Sequence, residues 1–136
     1  METTASASRH ISTHIDRPVR AVYDYASNPS NLPEWARGLG GSITKINGQW
    51  IAESSPMGRV SVAFVPENEL GVLDHDVTLP SGEIVYNPVR VIADGIGSEV
   101  VFTLRRRAGM SDEDFQRDAD AVLADLTTLK RVLERA

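Results

Sequence analysis

His75 is the residue of this sequence whose surroundings best suit chemistry. It lies within residues 72–79, where apolar and polar side chains alternate and predict a strand with Leu73, His75 and Val77 on one face. Because that face is otherwise apolar, we expect the imidazole to point into the interior. There it could bind a ligand or act as a general base, since histidine titrates near neutral pH. The alternative is a core histidine satisfied by a tyrosine or by backbone.

Tyr86 and Arg90 are the next candidates, and both lie on a strand predicted over residues 83–93. An inward Arg90 could hold a carboxylate or enolate oxygen, and either side chain could stabilise developing oxyanion charge. Pro88 lies between them and predicts a bulge or an edge position. A bulge would exchange the faces beyond it, so an outward, exposed Arg90 stays open as the alternative.

The two tryptophans are large apolar anchors with a polar N–H. Trp35 follows a short helical segment and could cover one end of an internal space, and Trp50 begins a strand beside a tight turn. Simple packing in the core or at an edge is the alternative for both.

Metal and cofactor chemistry have no supporting motif. The chain has no cysteine, and His10 and His14 would stand ~13 Å apart on a strand, too far for one metal ion. No glycine-rich phosphate loop with its lysine and no serine nucleophile elbow occurs. We therefore predict no metal site and no cofactor.

Charge and composition exclude further classes of protein. The 14 basic and 19 acidic residues give a net charge of -5, which disfavours nucleic acid and anionic membrane surfaces as partners. No apolar run reaches membrane-spanning length, so we expect no membrane insertion. Residues 1–8 are small and polar, which predicts a flexible N-terminus and no secretory signal. A cytoplasmic location is the default expectation.

The predicted elements form a single domain over residues 1–136. A strand comes first, then two short helices up to Trp35, a glycine-rich exit at residues 38–41, and six further strands. Asn47-Gly48 predicts a tight hairpin. Residues 111–135 predict a long amphipathic helix, with Ser111 and Asp114 resembling a capping box.

The dimensions of these elements predict a hollow. Seven strands would make a sheet ~29 Å wide, whereas the helix is ~37 Å long but only ~10 Å thick. The sheet must then curl around the helix, and we expect an apolar space to remain between them.

Three stretches carry a resemblance to a known family. They are VRAVYDYASNPSNLPEW at residues 19–35, GSEVVFTL at residues 97–104 and DLTTLK at residues 125–130. The chain resembles the START-like or SRPBCC superfamily, and most closely its small bacterial polyketide cyclase/dehydrase-like proteins. The resemblance implies an α+β helix-grip fold: a curved seven-stranded antiparallel sheet wrapped around a long C-terminal helix, with two short helices between strands 1 and 2. The family shares no catalytic motif, so no catalytic residue is carried over.

Three functions follow as hypotheses. The first is binding of a small apolar molecule between sheet and helix. The second is a polyketide cyclase- or dehydratase-like enzyme that transfers protons with His75 as base, and the third is a protein-interaction domain; homodimerisation stays open. The candidate ligand-binding residues are Trp35, Trp50, Val62, Phe64, Leu73, His75, Val77, Tyr86, Arg90, Phe102, Leu104, Val122 and Leu126.

Overall fold

A computed structural model of the chain describes residues 7–36, 42–55 and 58–135. The glycine-rich exit and most of the predicted flexible N-terminus lie outside them. The described helices are α1 (Val19–Ala26), α2 (Leu32–Trp35) and α3 (Asp112–Arg135), with a 3₁₀ turn at Pro29–Asn31. The strands are β1 (Ser8–Ile15), β2 (Ser42–Ile46), β3 (Gln49–Ser55), β4 (Gly58–Phe64), β5 (His75–Thr78), β6 (Ile84–Asn87), β7 (Val89–Asp94) and β8 (Gly97–Arg105). The predicted α+β class is confirmed.

The strands form two antiparallel sheets, with orders β2-β3-β4-β5-β6 and β1-β8-β7. Strands β2 to β6 pair in chain order as a meander, and β8 pairs with β7 on one side and β1 on the other. A short hairpin connects β2 to β3: Asn47 and Gly48 have φ values of 51° and 79°, as the predicted turn requires.

The predicted strand count of seven is wrong, because the described residues contain eight strands. Pro88 interrupts the strand expected over residues 83–93 and has no N–H to donate to a ladder. The chain changes partner at this point, so that Asn87 pairs with His75 of β5 whereas Val89 pairs with Phe102 of β8.

The inner faces of both sheets pack on α3. The main core cluster combines Val60 and Val77 of the five-stranded sheet with Val100 of the three-stranded sheet and Leu126 and Leu129 of α3. The helix-grip arrangement is therefore confirmed: residues of both sheets and of the C-terminal helix share one buried core.

The start of α3 matches its predicted cap. The backbone N–H of Asp114 donates to Ser111 Oγ at 3.1 Å, and Asp112, Glu113 and Asp114 occupy the first turn. Acidic side chains there interact favourably with the positive end of the helix dipole. Further along, Lys130 Nζ donates to the carbonyl oxygen of His14 at 2.8 Å, which ties the helix to β1.

Candidate functional site

Among the described residues, no wide hollow is found between the sheet and α3. Leu126 and Leu129 are 1% and 0% exposed and belong to one cluster with Val60 and Val77, so helix and sheet are in contact there. Of the two clearest depressions in the described chain, one lies open on the solvent side of α3, lined by Asp112, Glu113, Gln116, Arg117 and Asp120. The other lies beside α1.

The buried apolar side chains nevertheless form two separate clusters. Leu104, Phe115 and Ala119 form a second buried cluster, separate from the main one. Phe102 and Val122 are only half-buried and pack against both clusters. The side chains between the two clusters are therefore more accessible to solvent than the clusters themselves.

Three rings come together at this region. His75 and Phe64 face each other across β4 and β5, with ring centroids 4.9 Å apart. Phe102 approaches His75 edge-on at 6.4 Å between centroids. We call Phe64, His75 and Phe102 the ring cluster.

A depression of about 200 Å³ adjoins the ring cluster on the side of α1, and we call it the α1 notch. Phe64 belongs to both, because it lines the notch and contacts His75. Tyr23 also lines the notch, and its hydroxyl oxygen accepts a hydrogen bond from the backbone N–H of Asn68 at 2.9 Å. The lining residues are Tyr23, Ser27, Phe64, Val65, Glu67, Val72 and Leu73.

The hydrogen bonds of His75 define its protonation. Nδ1 lies 3.0 Å from the carbonyl oxygen of Leu73, which can only accept, so Nδ1 carries the proton. Burial lowers the pKa of His75, in spite of the Leu73 carbonyl and the carboxylates of Asp74 and Asp76 that favour the charged form. In this neutral tautomer Nε2 is an acceptor, and its neighbour is the Asn87 side-chain amide nitrogen at 3.4 Å.

Trp35 is in the main core and is 8% exposed. Its indole Nε1 is buried and has no hydrogen-bond partner, which holds for no other buried side-chain nitrogen or oxygen in the described part of the chain. An unsatisfied buried donor costs about 1–3 kcal/mol, and such groups are rare in proteins. Sequence reasoning selected Trp35 as an apolar cover and had no signal for this unpaired N–H.

Trp50 does not join either core cluster as defined by the described residues. It is half-buried, and the ammonium group of Lys45, its partner across β2 and β3, lies 5.6 Å from its ring centroid. Although Trp50 lies opposite Val62 in the register of β3 and β4, the structure places it at the margin of the interior.

Tyr86 and Arg90 both lie on the outer face, which for Arg90 is the alternative that the sequence left open. Tyr86 pairs with Asp76 of β5, and Arg90 pairs with Val101 of β8. These positions lie on the face of each sheet that is opposite to the inner face, which carries His75 and Val100. They bind a side chain of this protein: Arg90 donates to both carboxylate oxygens of Asp74, at 3.0 and 2.9 Å, and the Tyr86 hydroxyl donates to one of them.

Asp74 is the centre of this outer network. Its side chain is 4% exposed, and it also accepts the backbone N–H of Val89 at 2.9 Å. Its hydrogen bonds, with that from Arg90 as the largest influence, lower the pKa of Asp74 to about 2 in spite of its burial. Because its partners flank Pro88, the network joins β6 and β7 where the chain changes sheets.

The other sequence-predicted candidates divide between the two clusters. Leu104 belongs to the second cluster. Phe64, Phe102 and Val122 are half-buried and pack against the main cluster. The remaining candidates are buried in the main cluster: Val62, Leu73, Val77 and Leu126. The structure thus brings together the rings of Phe64, His75 and Phe102, and Phe102 and Val122 both pack against the two clusters.

Other kinds of site have little support in the described residues. No group of three or more histidine or acidic side chains within residues 7–36, 42–55 and 58–135 could hold a metal ion. No helix in the described ranges has the length and apolarity needed to span a membrane. The outer sheet face carries exposed apolar side chains at Ile84, Tyr86 and Ile92, which are 60%, 50% and 48% exposed.

Comparison with known proteins shows the fold. No protein-family model and no curated protein sequence matches the chain. The solved structure of Ara h 8.0201 has a TM-score of 0.70 and 14% identity, covering 97% of this chain and 100% of that one. Zhui aromatase/cyclase from a Streptomyces species has a TM-score of 0.71 and 12% identity, covering 96% and 95%. CalU16 from Micromonospora echinospora has a TM-score of 0.68 and 13% identity, covering 94% and 74%.

Identities this low carry information about architecture only. The chain has the fold that its resemblance to the START-like superfamily predicts, shared with proteins as different as Ara h 8.0201 and an aromatase/cyclase.

Proposed function

We propose that this chain binds a small, largely apolar molecule beside the ring cluster, in the region between the two core clusters. The observation that carries this proposal is the half-buried set Phe64, Phe102 and Val122, of which Phe64 lines a surface depression of the described chain. Apolar walls with a few polar groups are typical of small-molecule sites.

The size of the α1 notch limits the ligand. Its volume of about 200 Å³ is below the ~300–1,000 Å³ of ordinary ligand pockets. A larger molecule therefore requires a side chain to move, and Phe64 is the side chain between the notch and His75. Turning this ring away would connect the notch to the ring cluster.

The polar groups of the site favour a neutral ligand. His75 is uncharged at neutral pH because burial lowers its pKa. The buried polar side chains of the described chain are Asp74, His75 and Ser98, with no lysine or arginine among them to balance an anionic ligand. His75 Nε2 can accept a hydrogen bond from a hydroxyl group of the ligand in place of the contact with the Asn87 side-chain amide at 3.4 Å.

The proposal is tested with N-phenyl-1-naphthylamine, a neutral apolar probe whose fluorescence rises on leaving water. The wild-type protein should bind it, and Phe64→Ala should bind it on the order of fivefold more tightly, because binding no longer displaces the ring. Phe115→Ala is the matched control, since it removes a ring from the second cluster.

Phe115→Ala should leave the affinity within about twofold of wild type. Equal effects of the two substitutions, or no binding of the probe by the wild-type protein, would contradict the proposal.

Catalysis by proton transfer is the second candidate function, and the neutral His75 favours it. An uncharged imidazole with a lone pair on Nε2 is the state a general base requires. If the chain is such an enzyme, His75→Gln should abolish turnover while N-phenyl-1-naphthylamine affinity stays within about twofold. Loss of probe binding together with turnover would assign His75 to binding.

A further inference from the structure

The α1 notch brings three side chains with polar groups to one depression. Tyr23 lies on α1 and Ser27 is the C-terminal cap of this helix, four residues later and therefore on the same side. Glu67 comes from the connection between β4 and β5. A few polar groups that converge on a concave surface are typical of a small-molecule site.

The hydroxyl group of Tyr23 is held in place by this connection. The tyrosine is 3% exposed, and its oxygen accepts the backbone N–H of Asn68 at 2.9 Å. Asn68 is itself fixed, since its side-chain amide donates to the carbonyl oxygens of Pro66 and Val72 and its Oδ1 accepts the N–H groups of Leu70 and Val72. Because the Tyr23 oxygen accepts from Asn68, its own O–H points elsewhere and can donate to a ligand in the notch.

The chemistry of these groups selects the ligand group that matches them. Tyr23 offers a donor, and Glu67 offers a carboxylate that only accepts. A carbonyl group matches the first alone and an ammonium group the second alone, whereas a hydroxyl group can accept and donate at once. An anionic group would lie beside Glu67 without a balancing cation, because no lysine or arginine is among the described residues that line the notch.

We propose that the α1 notch is the polar subsite of this binding site and holds a hydroxyl group of the ligand, which accepts from Tyr23 and donates to Glu67. This inference rests on the proposed function and narrows its ligand class to largely apolar alcohols and phenols. Phe64 lines the notch and contacts His75, so the apolar remainder of such a molecule lies against the ring cluster.

The test uses three probes of nearly the same shape: benzyl alcohol, ethylbenzene and benzylamine. At neutral pH they end in a hydroxyl, a methyl and an ammonium group. Tyr23→Phe keeps the ring in the core and removes the hydroxyl. Tyr25→Phe is the matched control, because the Tyr25 hydroxyl is on the same helix, donates to Glu34 and is not among the described residues of the notch.

The ratio of benzyl alcohol to ethylbenzene affinity should fall by about three- to tenfold in Tyr23→Phe, the range expected for one hydrogen bond. It should stay unchanged in Tyr25→Phe. A purely structural effect, such as the loss of the acceptor for the Asn68 N–H, would weaken both probes alike and leave the ratio unchanged.

The Asn68 amide provides a second readout by nitrogen–proton NMR. Benzyl alcohol should move its proton downfield in the wild-type protein, because a hydroxyl that donates a hydrogen bond becomes a stronger acceptor. Ethylbenzene should not.

The outcomes separate this inference from the function beneath it. An unchanged ratio in Tyr23→Phe, or tighter binding of benzylamine than of benzyl alcohol by the wild-type protein, would overturn the hydroxyl assignment. Tighter binding of N-phenyl-1-naphthylamine by Phe64→Ala would then still support the apolar site. If the wild-type protein binds none of the three small probes, the polar subsite is overturned, and the naphthylamine titration decides the proposed function by itself.

Discussion

His75 shows how one imidazole is held in a defined state. The Leu73 carbonyl oxygen fixes the proton on Nδ1, and burial among Phe64 and Phe102 disfavours the charged ring. Sequence alternation predicted the inward direction of His75, because it depends on strand period alone. The tautomer depends on the distance to a particular carbonyl and could not be predicted.

We predict that His75 is neutral at pH 7, with its proton on Nδ1 and a pKa below the usual 6.5. Since the unfolded chain then binds more protons than the folded one, the contribution of His75 to stability is lost as the pH falls below about 6.5. Long-range nitrogen–proton NMR of the imidazole rings reports both the tautomer and the pKa.

The chain has three histidines, and His75→Gln assigns the His75 signals by their disappearance. A protonated ring at pH 7, or a proton on Nε2, would contradict the assignment.

Asp74 is the residue whose importance the sequence concealed. Alternation placed it correctly on the face opposite His75, where a carboxylate would ordinarily be solvated. Its burial results from Tyr86 and Arg90, 12 and 16 residues later, folding over it where Pro88 redirects the chain. Such a meeting depends on sheet topology and not on local pattern, so the sequence left the direction of Arg90 open and could not predict its pairing with Asp74.

Replacing Asp74 by Asn should destabilise the protein by about 3 kcal/mol at pH 7, because Arg90 loses a buried, charge-assisted partner. The folded-state pKa of Asp74 is lowered to about 2, so its ionisation stabilises the fold above its ordinary pKa and this contribution disappears as the pH falls towards 2. The difference in unfolding free energy between wild type and Asp74→Asn should therefore shrink by about 2 kcal/mol between pH 5 and pH 2.

Urea unfolding across this pH range measures the difference. Tyr86→Phe is the control, because it removes one hydrogen bond from the network and leaves the ion pair with Arg90 in place. A difference that does not vary with pH would contradict the role of the Asp74 charge.

Helix α3 and the hairpin at Asn47-Gly48 are the elements that the sequence predicted best. Both carry their determinants locally: an acidic first turn and a capping serine for α3, and residues tolerant of positive φ for the turn. The split into β6 and β7 was anticipated only as a bulge at Pro88, because a local pattern cannot say which strands pair on either side.

We predict that Ser111→Ala lowers the free energy of unfolding by about 1 kcal/mol, because the Asp114 N–H loses its acceptor at the helix start. Ser111→Asp supplies another acceptor beside the positive end of the helix and should retain most of the stability. Thermal and urea unfolding of the two variants measure the effect, and equal stabilities would show that the cap contributes little.

At the scale of the whole molecule, the predicted hollow failed because backbone dimensions alone do not define a void. The width of a sheet and the thickness of a helix set the distance between backbones, whereas side-chain volumes and the position of α2 decide what remains. Trp35, Leu126 and Leu129 are buried in the main core, whereas Phe102 and Val122, which pack against both clusters, are half-buried.

The difference in side-chain burial along α3 predicts that two truncations lower the free energy of unfolding by different amounts. Leu129 is 0% exposed and Val122 is half-buried between the clusters. Leu129→Ala should lower the free energy of unfolding by about 4 kcal/mol, since a closed core cannot relax into the cavity. Val122→Ala should cost about 1 kcal/mol, because its side chain is half-buried and smaller.

Urea unfolding of the two variants distinguishes a solid core from one with room for a guest. Both substitutions introduce the same residue into α3, so any difference beyond the volume removed and the helix preference reflects local packing. If Val122→Ala proves as costly as Leu129→Ala, the region beside the ring cluster is as closely packed as the rest of the core. A small molecule could then be accommodated only by separating α3 from the sheet, at a cost that weak apolar binding would not offset.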